Sequence, residues 1–226
     1  MADPTRQLAF DLPANVSLGA EDFFVSQANE QAFAMLRAPQ TWPNGKLALV
    51  GPASSGKTHL ARVFAAQSGA TILNAPQADP NAPLPDGPLV VEDCDTLPEA
   101  CEEWLFHTHN HLAQLGYSLL ITGQTAPARW PITLPDLASR LTAATTVTIT
   151  TPDAALLTAV LLKHFQDRQL APTPDAVAYL IKHLPRSFQA VRDTVDTLDQ
   201  QALAQSKALT RPFVRAVLDS MGPDGG

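Results

Sequence analysis

The segment that most constrains the fold is Gly51–Thr58, which runs Gly-Pro-Ala-Ser-Ser-Gly-Lys-Thr. It follows a short apolar run, Lys46–Val50, and it precedes His59–Ala66, which has helical spacing and good helix formers. A strand, then Gly-x-x-x-x-Gly-Lys-Thr, then a helix is the pattern of a phosphate-binding loop in its usual context. The bland alternative is a chance glycine turn before a helix, and the complete pattern favours the phosphate-binding loop.

Each part of this loop has a chemical reason. Gly51 and Gly56 let the backbone turn and bring its N–H groups close to phosphate oxygens. Lys57 would reach the β- and γ-phosphates of ATP or ADP, and the Thr58 hydroxyl would ligate Mg²⁺. The start of the following helix favours the same negative charge. The remaining predicted nucleotide contacts of the loop are Ser54, Ser55 and His59.

A second strand carries acids. Leu89–Asp93 is an apolar run that ends in Glu92 and Asp93, 35 residues after Lys57. A buried strand that delivers carboxylates beside a phosphate-binding loop predicts a Mg²⁺ site, in which one acid holds the ion and its neighbour orients the attacking water.

The remaining pattern predicts an α/β fold with a helical second domain. Further strands are expected at 70–73, 117–122 and 144–150, and strands that alternate with helices indicate a parallel sheet wrapped by helices. Four helices are expected after residue 152. Two of them begin at similar Thr-Pro-Asp segments, Thr151–Asp153 and Thr173–Asp175, in which the threonine is the expected N-cap residue. The predicted divisions are a tail (1–20), a nucleotide-binding domain (21–151), a helical lid (152–220) and a frayed end (221–226).

Composition limits the possible partners. Residues 1–151 hold 7 Lys and Arg against 14 Asp and Glu, and residues 152–226 hold 8 of each, so neither part has the basic excess of a stand-alone DNA-binding protein. No apolar run suggests a membrane span and no signal peptide is evident, which predicts a cytoplasmic protein. Cys94 and Cys101 are expected to be reduced thiols. Pro98–Leu115 is expected to be helical. A metal site at its histidines 107, 109 and 111 is not expected, because neighbouring members diverge by about 200° around a helix.

Two apolar segments leave alternatives open. Three apolar residues, Leu8, Phe10 and Leu12, follow Gln7 in an otherwise polar N-terminal tail. They would either dock in a partner's pocket or pack on their own domain. Phe24 and Val25 precede the phosphate-binding loop and would form either a shelf for the nucleotide base or ordinary core.

These motifs together carry a family resemblance. A phosphate-binding loop, an acid-tipped strand, a polar strand end at Gln124 and a helical lid resemble the AAA+ ATPases. Glu102–Asn110 is similar to a stretch of the replication initiator DnaA, and Leu119–Gly123 and Leu134–Leu141 resemble the DnaA-homologous regulators of the Hda family. Leu209–Val214 is similar to Hda as well. The resemblance implies an AAA+ core, a five-stranded parallel sheet wrapped by helices, followed by a small all-α lid.

The resemblance also implies partners. Gln7–Leu12 is similar to the peptide by which Hda proteins bind the sliding clamp (beta) of DNA polymerase, with Gln7 in a polar subsite and Leu8, Phe10 and Leu12 as anchors. Arg140 matches the family's arginine finger, which acts on the γ-phosphate of a neighbouring protein. On the residues alone, Arg140 would instead pair with Asp136, four residues earlier on the same helix.

Several positions depart from the family pattern and put the protein's own ATP turnover in doubt. Glu92 replaces an aspartate, Gln124 stands at the sensor-1 aspartate, and Gln189 stands at the lid's sensor-2 arginine, for which Arg186 or Arg192 would substitute. The proline-rich segment Asn74–Pro88 is predicted to be a loop in place of the helices by which the initiator contacts single-stranded DNA, and no DNA-reading module is expected after the lid.

The resulting hypothesis is a negative regulator of replication initiation that binds the clamp and stimulates ATP hydrolysis on DnaA. Two alternatives remain, an intrinsically active AAA+ ATPase related to helicase loaders and a nucleotide-bound clamp adaptor without catalytic effect. Homo-oligomerisation stays open, and neither strong direct DNA binding nor membrane association is expected.

Overall fold

The computed structural model describes residues 17–18 and 24–222. These residues form two compact units. One unit is Ala28–Thr151, and the other combines the described residues up to Gln27 with those from Pro152 onward. The described residues contain seven strands: β1 (Ser17–Leu18), β2 (Phe24–Val25), β3 (Lys46–Val50), β4 (Thr71–Asn74), β5 (Leu89–Glu92), β6 (Leu119–Gly123) and β7 (Thr145–Thr148).

Strands β3 to β7 form the predicted parallel sheet, in the spatial order β4-β5-β6-β3-β7. Every residue of β3 and β6 is buried, as expected for inner parallel strands with helices on both faces. The edge strands β4 and β7 are mostly exposed and more polar. All five strands lie within two residues of their predicted positions.

Four helices accompany the sheet: α1 (Glu30–Leu36), α2 (Lys57–Ser68), α3 (Glu102–Leu115) and α4 (Pro135–Thr142). The region predicted as one helix from residue 98 instead begins with a 3₁₀ turn, Glu99–Cys101, before α3. Leu105 and Leu112 of α3 pack with Leu137 and Leu141 of α4 in one apolar core that includes strand residues. The sheet, α3 and α4 are therefore parts of a single packed body.

The proline-rich segment between β4 and β5 contains one 3₁₀ turn, Ala75–Gln77, and is otherwise irregular, as predicted. It is tied to the start of α3 by side chains. Trp104 Nε1 donates to the Ala82 carbonyl at 3.1 Å, and Cys101 Sγ lies 3.3 Å from the Ala78 carbonyl. These contacts satisfy backbone groups that prolines would otherwise leave without a regular partner.

The second unit contains the four predicted lid helices: α5 (Ala154–Asp167), α6 (Pro174–His183), α7 (Phe188–Gln205) and α8 (Arg211–Met221). Its core includes Phe165, Leu180 and Leu198, which are fully buried. Thr173 is the N-cap residue of α6, as predicted. The prediction for α5 was wrong, because the cap is Asp153, whose carboxylate accepts from Leu156 N at 2.7 Å, and not Thr151.

Strands β1 and β2 form an antiparallel pair within the lid unit, beside α5. In the part of the chain that the structure describes, none of the helices combines the length and the apolarity that crossing a bilayer requires.

Candidate functional site

The glycines of the phosphate-binding loop are required by its geometry. A Cβ atom on Gly51 would lie 2.5 Å from the Ile149 carbonyl oxygen and 2.9 Å from Ser55 Oγ, which no side chain tolerates. Gly56 has a φ of 102°, where residues with a Cβ are strained, and α2 begins at the next residue. The loop therefore packs tightly at the end of β3 and turns directly into a helix N-terminus, where backbone N–H groups favour anions.

Lys57 lies inside this loop. Its Nζ donates to the carbonyls of Gly51 at 2.7 Å and Pro52 at 2.8 Å, and its side chain is buried. Burial lowers the pKa of Lys57, and the negative charges of Asp93, Asp95 and Glu92 oppose this effect. The lysine is thus a buried cation within the field of three carboxylates.

The other predicted loop residues differ in exposure. Ser54, Thr58 and His59 are exposed, and Ser54 has a φ of 55°. Ser55 is buried, and its hydroxyl oxygen has no hydrogen-bond partner among the described residues. A buried hydroxyl without a partner is uncommon, and here it lies in the segment that would surround a phosphate.

The predicted acids follow β5 as expected. Glu92 is its last residue, and Glu92 Oε1 is buried without a hydrogen-bond partner in the described part of the chain. Asp93 has a left-handed φ of 55°, and its backbone N–H donates to Thr122 Oγ1 at 3.0 Å on the neighbouring strand β6. The turn at Asp93 ends the strand and starts a short 3₁₀ turn, Cys94–Thr96.

That turn brings in an acid that sequence reasoning missed. Asp95 Oδ2 accepts from the backbone N–H of Gln124 at 2.8 Å, and Asp95 Oδ1 is buried without a partner in the described residues. The backbone of Gln124 therefore lies beside an acid, while its side chain is exposed. The signal in the sequence was the second aspartate of Asp93-Cys94-Asp95, close to the predicted pair.

The donors at this edge suit a hard cation. Carboxylates and hydroxyls are the ligands that Mg²⁺ prefers, and Mg²⁺ commonly uses one or two carboxylates together with substrate phosphates. Within residues 17–18 and 24–222, no group of three histidine, cysteine or acidic side chains could hold a metal ion alone. The residues therefore fit an ion shared with a bound nucleotide, and the three histidines of α3 form no metal site in the same described residues.

Arg140 lies on the exposed face of α4. Leu137 and Leu141 are fully buried, so the opposite side of the helix, with Asp136, Ser139, Arg140 and Ala143, borders a surface depression of about 410 Å³. Arg140 makes no ion pair with any described carboxylate, including that of Asp136, so the alternative drawn from residue spacing was wrong. Its guanidinium lies over the Phe106 ring of α3, 5.5 Å from the ring centroid.

The topology separates Arg140 from the protein's own phosphate-binding loop. The loop follows the last residue of β3. In contrast, α4 ends just before β7, and Thr145, the first residue of β7, pairs with Leu47 near the start of the parallel strand β3. Lys46, the first residue of β3, and Arg140 both lower the pKa of the buried His109, so both positive charges act on this imidazole. The loop therefore lies at the carboxyl ends of the strands and Arg140 lies near their amino ends, and the strands are roughly 16 Å long.

The predicted lid residues are described within their own unit. Gln189 is exposed, and its side-chain amide donates to Asp193 Oδ1 at 2.7 Å. Arg186 and Arg192 are exposed and form no ion pair among the described residues. Phe24 is buried, Val25 is half-buried, and both belong to the lid unit, not to the 21–151 domain in which they were placed.

The predicted clamp-binding residues Gln7, Leu8, Phe10 and Leu12 lie outside the described residues.

Comparison with known proteins finds one matching family model and several solved structures with a similar fold. Residues 153–218 match the family model described as Hda, lid domain. The fold resembles domain III of the replication initiation protein DnaA from Thermotoga maritima, with 17% identity, a TM-score of 0.75 and coverage of 88% of this chain and 94% of that one. AMPPCP-bound DnaA from Aquifex aeolicus is 16% identical with a TM-score of 0.67, over 85% of this chain and 68% of that one.

The RuvB Holliday junction branch migration motor from Thermotoga maritima is 15% identical with a TM-score of 0.72, over 92% of this chain and 73% of that one. At these identities the structural likenesses show a shared fold, the AAA+ fold, and the lid match is more specific. The chain thus combines the fold seen in DnaA domain III with a segment, residues 153–218, that matches the Hda lid domain.

Proposed function

We propose that this protein is a nucleotide-bound regulator of replication initiation that stimulates ATP hydrolysis on DnaA by supplying Arg140 in trans. The observation that carries the proposal is the state of Arg140. It is exposed, and it makes no ion pair among the described residues. It also lies near the amino ends of the strands, whereas the protein's own phosphate-binding loop lies at their carboxyl ends. An arginine in that position can reach a neighbour's nucleotide, and in known cases such a residue raises hydrolysis rates ~10³–10⁵-fold.

The protein's own site would hold ATP or ADP with Mg²⁺. Gly51, Gly56 and Lys57 would surround the phosphates, with Ser54, Ser55 and His59 beside them. Thr58, Glu92 and Asp93 would hold the ion, and Asp95 adds a third acid. The AMPPCP found in Aquifex aeolicus DnaA, which shares the fold, supports an adenine nucleotide. When bound, Mg²⁺ would neutralise phosphate charge and Lys57 would exchange its two carbonyl partners for phosphate oxygens.

Slow turnover of this nucleotide is expected. Gln124 presents an uncharged side chain at the strand end, and Gln189 is held by Asp193 and has no charge to offer. Arg186 or Arg192 would then supply the positive charge that Gln189 lacks. Binding without efficient hydrolysis suits a structural switch that orders the surface around Arg140.

Recruitment would depend on the N-terminal peptide. Gln7, Leu8, Phe10 and Leu12 would dock on the sliding clamp, which would bring the protein to newly replicated DNA in the cytoplasm and limit re-initiation. A pull-down with purified clamp tests this step. Equal retention of wild type and a Gln7→Ala, Leu8→Ala double variant would contradict it.

The decisive assay measures hydrolysis of ATP bound to DnaA in the presence of clamp assembled on DNA. Wild type should accelerate hydrolysis strongly, and Arg140→Ala should remove the acceleration while leaving clamp retention unchanged. If Arg140→Ala accelerates hydrolysis as well as wild type, the mechanism is wrong. If wild type binds the clamp without any acceleration, the protein is a non-catalytic clamp adaptor.

One observation favours a second candidate, an intrinsically active AAA+ ATPase. Asp95 supplies an acid beside Gln124, with one carboxylate oxygen buried and without a partner in the described residues. Robust ATP turnover by the protein alone, lost in Lys57→Ala and in Asp95→Asn, would support this candidate.

A further inference from the structure

One face of α3 is directed toward α4. Glu102, Phe106 and His109 are spaced four and three residues apart, so they lie on the same side of the helix. Glu102 contacts the segment that leads into α4, and Phe106 contacts Arg140 near the end of α4. The segment just before α4 and a residue near the end of α4 are therefore both in contact with α3.

Glu102 is a buried carboxylate with an unusual set of partners. It is 2% exposed and accepts from Thr133 N at 2.9 Å, Thr133 Oγ1 at 2.9 Å and Leu134 N at 2.7 Å. It has no cation partner in the described part of the chain. Burial acts to raise the pKa of Glu102, but these hydrogen bonds outweigh it and lower the pKa below its usual value.

The sequence of α4 explains why this carboxylate is needed. Pro135 is the first residue of the helix and has no N–H, so the last free backbone donors before the helix belong to Thr133 and Leu134. Glu102 satisfies both. The entry of the chain into α4 is thereby held by charge-assisted hydrogen bonds, which are about twice as strong as neutral ones.

Phe106 contacts Arg140 near the C-terminal end of α4. The Phe106 ring is half-buried, and the Arg140 guanidinium lies over it at 5.5 Å. No described carboxylate competes for this arginine. A cation over an aromatic face loses freedom of movement without losing its charge or its hydrogen-bond donors.

We infer that Glu102 and Phe106 are positioning residues for Arg140, one by fixing the helix that carries it and the other by holding its guanidinium over the ring. This inference rests on the proposed role of Arg140 in trans. The guanidinium keeps its outward donors available for a phosphate on the partner, and its ordering before the encounter reduces the entropy lost on reaching the transition state.

Four variants separate positioning from general stability. Glu102→Gln keeps the size of the side chain but replaces one acceptor oxygen by a donor that faces N–H groups. Glu103→Gln is its matched control, since Glu103 is the next residue of the helix and is exposed. Phe106→Leu removes the ring, and Phe106→Tyr retains it.

The first measurement needs no partner. In NMR spectra of the full chain, the Nε–Hε signal of Arg140 should show an upfield ring-current shift in wild type and in Phe106→Tyr. It should lose this shift in Phe106→Leu and should broaden or split in Glu102→Gln, while Glu103→Gln leaves it unchanged. An Arg140 signal that is the same in all four variants overturns the inference.

The second measurement is the rate of DnaA-bound ATP hydrolysis at saturating regulator. Phe106→Leu should lower the maximal rate about two- to five-fold, the range expected for losing an exposed cation–π contact, and Phe106→Tyr should restore it. Glu102→Gln should lower it about ten- to a hundred-fold, the order of magnitude that displacement by an ångström costs. The half-saturating concentration should stay within about two-fold of the wild-type value.

The outcomes distinguish two failures. If Arg140→Ala stimulates like wild type, the proposed function fails, while the NMR result still decides whether Arg140 is positioned as inferred. If Arg140→Ala abolishes stimulation but Glu102→Gln and Phe106→Leu retain the full maximal rate, the proposed function holds and the inference is wrong.

Discussion

His109 offers a prediction whose magnitude follows from the structure. It is 7% exposed on the inner side of α3, and its Nδ1 has no hydrogen-bond partner among the described residues. Burial and the positive charges of Lys46 and Arg140 lower the pKa of His109, and a hydrogen bond with the Asn110 side chain opposes them; the pKa falls to about 4 from an ordinary value of 6.5. The folded protein therefore holds this imidazole neutral at pH values where the unfolded chain protonates it.

The sign and size of the effect of pH on the free energy of unfolding follow from proton linkage. Well above pH 6.5 the histidine is neutral in both states and contributes no pH dependence. Between pH 6.5 and 4 only the unfolded state gains the proton, so the free energy of unfolding falls as the pH falls. At about 1.4 kcal/mol per pKa unit, the loss approaches about 3 kcal/mol below pH 4 and is about 2 kcal/mol at pH 5.

Urea denaturation at pH 7.5 and pH 5.0 measures this loss. The three tryptophans, Trp42, Trp104 and Trp130, all belong to the same unit as His109, so their fluorescence reports the unfolding of that unit. Between the two pH values, wild type should lose about 2 kcal/mol more free energy of unfolding than His109→Gln, because other titrating groups cancel in the comparison.

The matched control is His107→Gln, since His107 is exposed on the same helix. This variant should lose as much free energy of unfolding as wild type over the same pH interval. If His109→Gln also loses as much as wild type, the account of a buried neutral histidine beside two cations is refuted.

Other predictions concern the phosphate-binding loop and the thiols. Lys57→Ala should lower the affinity for a fluorescent ADP analogue at least ten-fold, measured by titration, because a charged hydrogen bond contributes about 1.5–3 kcal/mol. Gly51→Ala should lower the same affinity and also the melting temperature, because the added methyl group would lie 2.5 Å from the Ile149 carbonyl; unchanged values would contradict the loop geometry. Cys94 is fully buried and burial raises the pKa of its thiol, so in a Cys101→Ala variant it should react with a disulfide reagent at pH 8 far more slowly than after denaturation.

The sequence was most informative where a local pattern determines the geometry. The inner strands of the sheet are continuous apolar runs because both faces are covered; β3 was predicted to the residue, and β6 begins two residues later than predicted. The phosphate-binding loop was predictable for a different reason, because Gly51 and Gly56 occupy positions that exclude a Cβ. The acid-tipped strand followed from its place in the alternation of strands and helices.

Features that depend on distant contacts were not predictable. Glu102 contacts a segment 31 residues further along the chain, and nothing in its local sequence distinguishes it from the exposed Glu103. Asp95 joins the candidate site only because the left-handed turn at Asp93 redirects the chain toward Gln124. In contrast, the burial of His109 could have been found, since it continues a helical spacing with Leu105 and Leu112.

Two predictions based on local sequence patterns were wrong. Spacing on α4 suggested that Arg140 would pair with Asp136, yet the Phe106 ring of another helix is the contact that the structure shows. A threonine before a proline suggested the start of α5, but a carboxylate two residues later caps the helix. In both cases a tertiary or stronger local contact replaced the one that the pattern favoured.

The central claim is that the hydrolysis controlled by this protein occurs on a neighbour's nucleotide. A single-turnover experiment tests it directly, with γ-labelled ATP bound to DnaA before the regulator and DNA-assembled clamp are added. Phosphate release should be fast with wild type and with Arg129→Ala, a variant of another exposed arginine of the same unit, and should fall to the unstimulated rate with Arg140→Ala. Equal rates with wild type and Arg140→Ala would contradict the account.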